Sequence, residues 1–122
     1  MTENYYWAKI INLEEVEDLN EKDTLELEIE LDDGRPLSII LAKDNTQESG
    51  WLAFENICTH DSESLGDGEI DFKSHTVKCP RHGAIFDILK GDAMTLPAVA
   101  PIRVFSVKAD EGALYFHIPS KI

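Results

Sequence analysis

The most constraining feature of the chain is the run TLELEIEL at positions 24–31, in which apolar and acidic side chains alternate strictly from Leu25 onward. A period of two puts Leu25, Leu27, Ile29 and Leu31 on one side of an extended strand and Glu26, Glu28 and Glu30 on the other. A helix would smear both sets around its circumference. Such a strand needs a partner and a cover for its apolar face. The partner follows at once: Asp32-Asp33-Gly34 is a turn signal, and the apolar run 37–42 completes a hairpin. Glycine marks further turns at Gly66-Asp67-Gly68, Lys90-Gly91-Asp92 and Glu111-Gly112. Shorter strands are expected at 6–10, 51–54, 76–78, 85–88, 102–107 and 114–118, and only 13–19 has a helical look, of about one turn. The pattern predicts an all-β domain of short antiparallel strands.

At 122 residues the chain has the size of one domain, and 43% apolar residues are enough to bury a real core. The 24 acidic and 11 basic side chains give a net charge of −13, which argues against nucleic acid and anionic membrane as partners and favours a monomer in solution. No apolar run approaches the ~18 residues of a membrane span, and MTENYYWAKI lacks the basic-then-apolar pattern of a signal peptide. The expectation is a soluble, cytoplasmic protein. Its charge is uneven: residues 1–54 carry 14 acids and 4 bases, residues 55–90 carry 7 and 4, and residues 91–122 carry 3 and 3. Glu26, Glu28 and Glu30 are expected to form a solvated strand face that discourages edge pairing. Asp61, Glu63, Asp67, Glu69 and Asp71 are more suggestive, because they follow the strongest motif directly.

That motif is Cys58-Thr59-His60 followed by Cys79-Pro80-Arg81-His82. Two stretches with the Gly and Pro content of loops each offer one sulfur and one nitrogen, a four-ligand set. Two cysteines allow at most one disulfide, and in a reducing compartment such a pair is more often a ligand set. Zinc accepts two Cys and two His tetrahedrally, although its familiar spacings pair like with like. A blue-copper site would leave one thiol over. A [2Fe–2S] cluster with two Cys on one iron and two His on the other uses all four.

The paired pattern, continued through Gly83-Ala84-Ile85-Phe86-Asp87, resembles the Rieske family, and within it the small soluble ferredoxins of bacterial aromatic-ring-hydroxylating dioxygenases. The similarity extends into Ser64-Leu65-Gly66-Asp67-Gly68 and Leu96-Pro97-Ala98. It implies a Rieske fold: a basal antiparallel β-sandwich, about residues 1–54 and 91–122, with a small cluster-binding β subdomain inserted at about 55–90. It implies one [2Fe–2S] cluster, with Cys58 and Cys79 on the buried iron and His60 and His82 on the outer iron. By the same resemblance the chain is an electron carrier and not an enzyme. It would take electrons from a flavin-containing ferredoxin reductase and pass them to a terminal oxygenase in aromatic compound degradation. Related subunits serve toluene-type monooxygenases and nitrite reductases, and those systems stay open, as does a zinc-stabilised binding module.

Charge arithmetic explains the use of such ligands. Two ferric ions, two sulfides and two thiolates with neutral imidazoles sum to zero, so reduction produces only −1 in a low-dielectric pocket. High-potential members of the family carry a disulfide between the two loops and a serine and tyrosine that donate to cluster sulfur. Here the matching positions read Glu63 and Arg81, and Ala84 and Phe86. Two missing hydrogen bonds to a charged acceptor, each about 1.5–3 kcal/mol, lower the potential by roughly 130–260 mV, towards about −150 mV.

The remaining residues have plainer expected roles. His75 and His117 are expected at the surface or hydrogen-bonded, Trp51 and Phe54 in the core beneath the first loop, and Asp87 in a turn. Pro80 should shape the second loop, and Pro97 and Pro101 a loop on the flank of the site. Asp61, Glu63, Asp67 and Glu69 are candidates for steering partners, with Arg81 as a lone opposite charge.

Overall fold

The computed structural model describes residues 5–31, 34–58, 64–65, 68–81, 83–96 and 100–119. Among the described residues ten strands form three sheets, and every strand pair there is antiparallel. The hairpin read from the alternating run is β2 (Thr24–Glu30) and β3 (Pro36–Lys43), paired with Leu27 opposite Ile39. With β4 (Trp51–Glu55) and β8 (Val104–Phe105) they make a four-stranded sheet in the order β2-β3-β4-β8. β2 is its edge, and Glu26, Glu28 and Glu30 are exposed there, charges that oppose pairing with another chain.

β3 and β4 alternate between two cores. Leu37, Ile39, Leu41, Trp51 and Ala53 join a core with Leu114, Phe116 and Ile118, from the sheet of β1 (Tyr5–Asn12), β10 (Ala113–Pro119) and β9 (Val107–Asp110). Ile40, Ala42, Leu52 and Phe54 join the other core, with Val77 and Phe86 from the sheet of β5 (Glu69–Asp71), β6 (Thr76–Lys78) and β7 (Ile85–Asp87). The four-stranded sheet is therefore the middle layer. Its two central strands read as nearly unbroken apolar runs because both faces are covered.

Of three local expectations, two are corrected and the single helical turn is met. The run 102–107 is two strands: β8 pairs with β4, then the chain passes Ser106 and β9 pairs with β10, so the segment changes sheets at a corner. The helical look of 13–19 reduces to a 3-10 turn, Leu13–Glu15, held by the Glu15 carboxylate accepting from the Asn12 N–H at 3.0 Å, with Val16 buried beyond it. Trp51 lies in the core facing β1 and β10, while Phe54 lies in the core of the two cysteines. Three positions apart on a strand, they point to opposite faces.

Asp44 and His75 join the middle layer to the third sheet. Asp44 is 1% exposed; its carboxylate accepts from the Thr46 hydroxyl at 2.7 Å and N–H at 3.0 Å and from Gln47 at 3.3 Å, and lies 2.8 Å from His75 Nε2. Burial pushes its pKa up, but the bonds from Thr46, His75 and Gln47 outweigh burial and hold it below the ordinary 3.8. A depressed carboxylate stabilises the fold above its ordinary pKa and loses that contribution as pH falls through the folded value. Asp44→Ala is expected to lower stability at neutral pH by about 1–3 kcal/mol, by removing the charged acceptor of these bonds. The difference from the parent should shrink when urea melts are repeated below pH 3.8; an unchanged difference would contradict the linkage.

Candidate metal centre

Cys58 follows β4 after two residues and Cys79 follows β6 directly, so each thiol is set by the end of a strand. Both are buried, at 0% and 1% exposure, in one core with Leu65, Ala84, Phe86 and Ile102, and no disulfide joins them. His60 and His82, the other two expected ligands, lie outside the described residues.

The loop after Cys58 is closed at its neck. Asn56, 8% exposed, uses its side-chain oxygen to accept from Leu65 N–H at 2.8 Å and from the Ser64 hydroxyl at 3.0 Å. Its Nδ2 donates to Ser38 Oγ at 3.1 Å and its N–H to the Ser38 carbonyl at 2.9 Å, which fixes the neck to β3. The loop after Cys79 closes on itself: Cys79 N–H donates to the Ala84 carbonyl at 2.7 Å and Gly83 N–H to the Cys79 carbonyl at 3.0 Å, with Gly83 at φ +74°. Pro80 and Arg81 are the exposed described residues of that loop. The loops touch at Arg81, whose Nη1 donates to the Ser64 carbonyl at 3.0 Å. They also approach at Gly68, where a Cβ would stand 2.7 Å from the Lys78 carbonyl oxygen and 2.8 Å from that of Leu65.

The chemistry of the core around the two thiols suits a [2Fe–2S] group. The core around the thiols is apolar, and the only buried polar or charged side chains among the described residues are Asp44 and Asn56. Such a core favours a group whose charge is neutralised by its own ligands, as two thiolates and two neutral imidazoles do for the oxidised cluster. Ala84 and Phe86 are 0% exposed beside the cysteines and offer no side-chain donor.

Other expected residues fall out as follows. Asp61, Glu63, Asp67 and Pro97 lie outside the described residues. Glu69 is exposed on β5 opposite Lys78, and Asp71 accepts from the Lys73 and Ser74 N–H groups in the turn after β5. Those two backbone bonds hold the Asp71 carboxyl below its ordinary pKa. Asp87 is a turn residue, accepting from Leu89 and Lys90 N–H at 2.8 and 2.9 Å. Pro101 is exposed. His117 stacks on Trp7 at 4.8 Å in the first sheet, and His75 pairs with Asp44, so the two histidines belong to separate clusters. Sequence reasoning missed Asn56, and it named Arg81 only as a lone opposite charge and not as a link between the loops. The available signals were a polar residue following the apolar strand β4, and a long cation between two expected ligands.

The Rieske [2Fe-2S] domain family matches residues 7–106. Ferredoxin CarAc of Metapseudomonas resinovorans is 36% identical over 65 residues, which is 53% of this chain and 59% of that protein. The chain thus spans less than two-thirds of such a curated relative. Among solved structures, the Sphingomonas yanoikuyae B1 ferredoxin superposes with a TM-score of 0.71 over 93% of this chain and all of its own, at 21% identity. A chain from the complex of reduced oxygenase and oxidized ferredoxin in carbazole 1,9a-dioxygenase gives a TM-score of 0.67 at 25% identity, covering 91% of this chain and 92% of its own.

Proposed function

Because this chain belongs to the Rieske [2Fe-2S] domain family, we propose that it is a one-electron carrier and not a catalyst. It takes electrons from a flavin-containing ferredoxin reductase and delivers them to a terminal ring-hydroxylating oxygenase in aromatic compound degradation. Its cofactor is one Rieske-type [2Fe–2S] cluster. Cys58 and Cys79 hold the inner iron and His60 and His82 the outer one, within an insertion of about residues 55–90. When bound, the cluster supplies reversible storage of a single electron.

The observation that carries this reading is the burial of both cysteines in one apolar core, at the bases of loops with the Cys-x-His and Cys-x-x-His spacing. The chain's own part is to exclude water from the sulfur side and to keep the loops in register. The names of the CarAc relative and of the oxygenase–ferredoxin complex support the choice of partner. Among the described residues no helix is long and apolar enough to cross a membrane, which is compatible with a carrier working in the cytoplasm.

The test is reconstitution. A red-brown protein with two irons and two sulfides per chain, which raises product formation by an oxygenase–reductase pair, is the expected result. A colourless protein, or one that no such pair can use, contradicts it. Transfer should slow as salt is raised if Asp61, Glu63, Asp67 and Glu69 steer the encounter; rates indifferent to ionic strength remove the steering role.

Ala84 and Phe86 set a second expectation. Ala84→Ser with Phe86→Tyr introduces two hydroxyl donors beside the cysteines, and the midpoint potential should rise by about 100 mV or more. A voltammogram without a rise would show that these positions do not tune the site.

A further inference from the structure

We propose that Arg81 is the positioning residue that locks the two ligand loops together, as the last link of a hydrogen-bond chain anchored in the middle sheet. Resting on the electron-carrier reading, the inference adds a determinant of how long the cluster is kept and how uniformly it is held. The chain starts at Ser38 on β3, which receives the Asn56 N–H at 2.9 Å and its Nδ2 at 3.1 Å. The Asn56 side-chain oxygen closes the first loop by accepting from Ser64 Oγ and Leu65 N–H. Ser64, so fixed, offers its carbonyl to Arg81 Nη1 at 3.0 Å, across 17 positions of sequence.

Arg81 lies between Cys79 and His82, in a loop that backbone bonds from Cys79 to Ala84 and from Gly83 to Cys79 also close on itself. Those bonds shape the second loop, whereas the Arg81 bond reaches the first and joins the second to a point already fixed through Asn56. Each loop would supply one thiolate and one imidazole, one ligand to each iron, so a change in the separation of the loops would strain both irons at once. A planar guanidinium suits the task because its donors are fixed in a fork and its charge strengthens a bond to a carbonyl. At an exposed position this link governs how often the loops part, and has little influence on whether the core folds.

The test compares purified, cluster-loaded parent, Arg81→Ala and Arg81→Lys. All three are expected to contain equal iron and sulfide and to melt alike. On exposure to a chelator, Arg81→Ala should lose its visible absorption about fivefold faster than the parent, about the net effect of one ordinary hydrogen bond. The EPR signal of the reduced Arg81→Ala protein should also broaden, as a less uniform ligand geometry requires. Arg81→Lys, which keeps one donor and the charge, should recover most of the retention. Equal loss rates and line widths for parent and Arg81→Ala overturn the proposal. So does a faster loss that Arg81→Lys leaves uncorrected. A parent protein that purifies without iron and sulfide removes the electron-carrier reading itself, a distinct result visible before any variant is made.

Discussion

Cys79→Ala is expected to purify colourless, with less than about a tenth of the parent's iron and sulfide, because metal affinity depends on a complete ligand set. Cys79 is 1% exposed in a core whose other members, apart from Cys58, are hydrocarbon side chains, so among the described residues of that core no other side chain takes its place. Loss of its negative charge would leave an uncompensated positive charge in that apolar surrounding, and burying an unpaired charge costs several kcal/mol. Cys58→Ala should behave the same, since Cys58 is 0% exposed in the same core. Iron and sulfide analysis beside an absorption spectrum checks both variants. Full occupancy in either one would remove that cysteine from the ligand set.

Gly91→Ala is expected to be the most damaging single-methyl change to the fold. Gly91 has φ +90°, where an L side chain is strained, and its Cβ would overlap the backbone carbonyl oxygen of Ile102. That approach is built in, because Ile102 N–H donates to the Gly91 carbonyl at 2.9 Å and Gly91 N–H to the Asp87 carbonyl at 2.8 Å. Ile102 belongs to the core of the two cysteines, so parting these two segments disturbs that core. Backbone strain and overlap together cost about 3 kcal/mol or more, enough to lower the Tm by roughly 10–20 °C. Gly112→Ala is the control. Its φ of +78° is comparable, but a Cβ there meets nothing within 4 Å, so only the strain of about 1–2 kcal/mol remains. Thermal melts of the two variants separate overlap from strain; equal losses would mean that the contact with Ile102 is absorbed.

The alternating glutamates disclosed β2 and its hairpin because a half-buried edge strand writes its period directly into the sequence. β5 was not legible: Glu69–Asp71 has one apolar residue between two acids and reads as part of a charge run. Its strand state comes from pairing with β6, a tertiary contact invisible to local pattern. The division of 102–107 between two sheets was hidden for the same reason, since both halves carry strand-forming residues and only their partners differ. Trp51 and Phe54 could have been assigned to separate cores from parity alone, once β4 was recognised as central. At the site, the Cys-x-His and Cys-x-x-His spacing was legible, and the proposed ligand set rests on it. The hydrogen bonds of Asn56 and Arg81 were not legible, because they depend on where two distant loops meet.

The most direct measurement is the EPR spectrum of the dithionite-reduced protein. Two imidazoles on one iron and two thiolates on the other should give a rhombic signal with an average g-value below that of an all-thiolate [2Fe–2S] cluster. An all-thiolate average, or the absence of any reduced-cluster signal from a protein with a full complement of iron, would contradict ligation by Cys58, His60, Cys79 and His82.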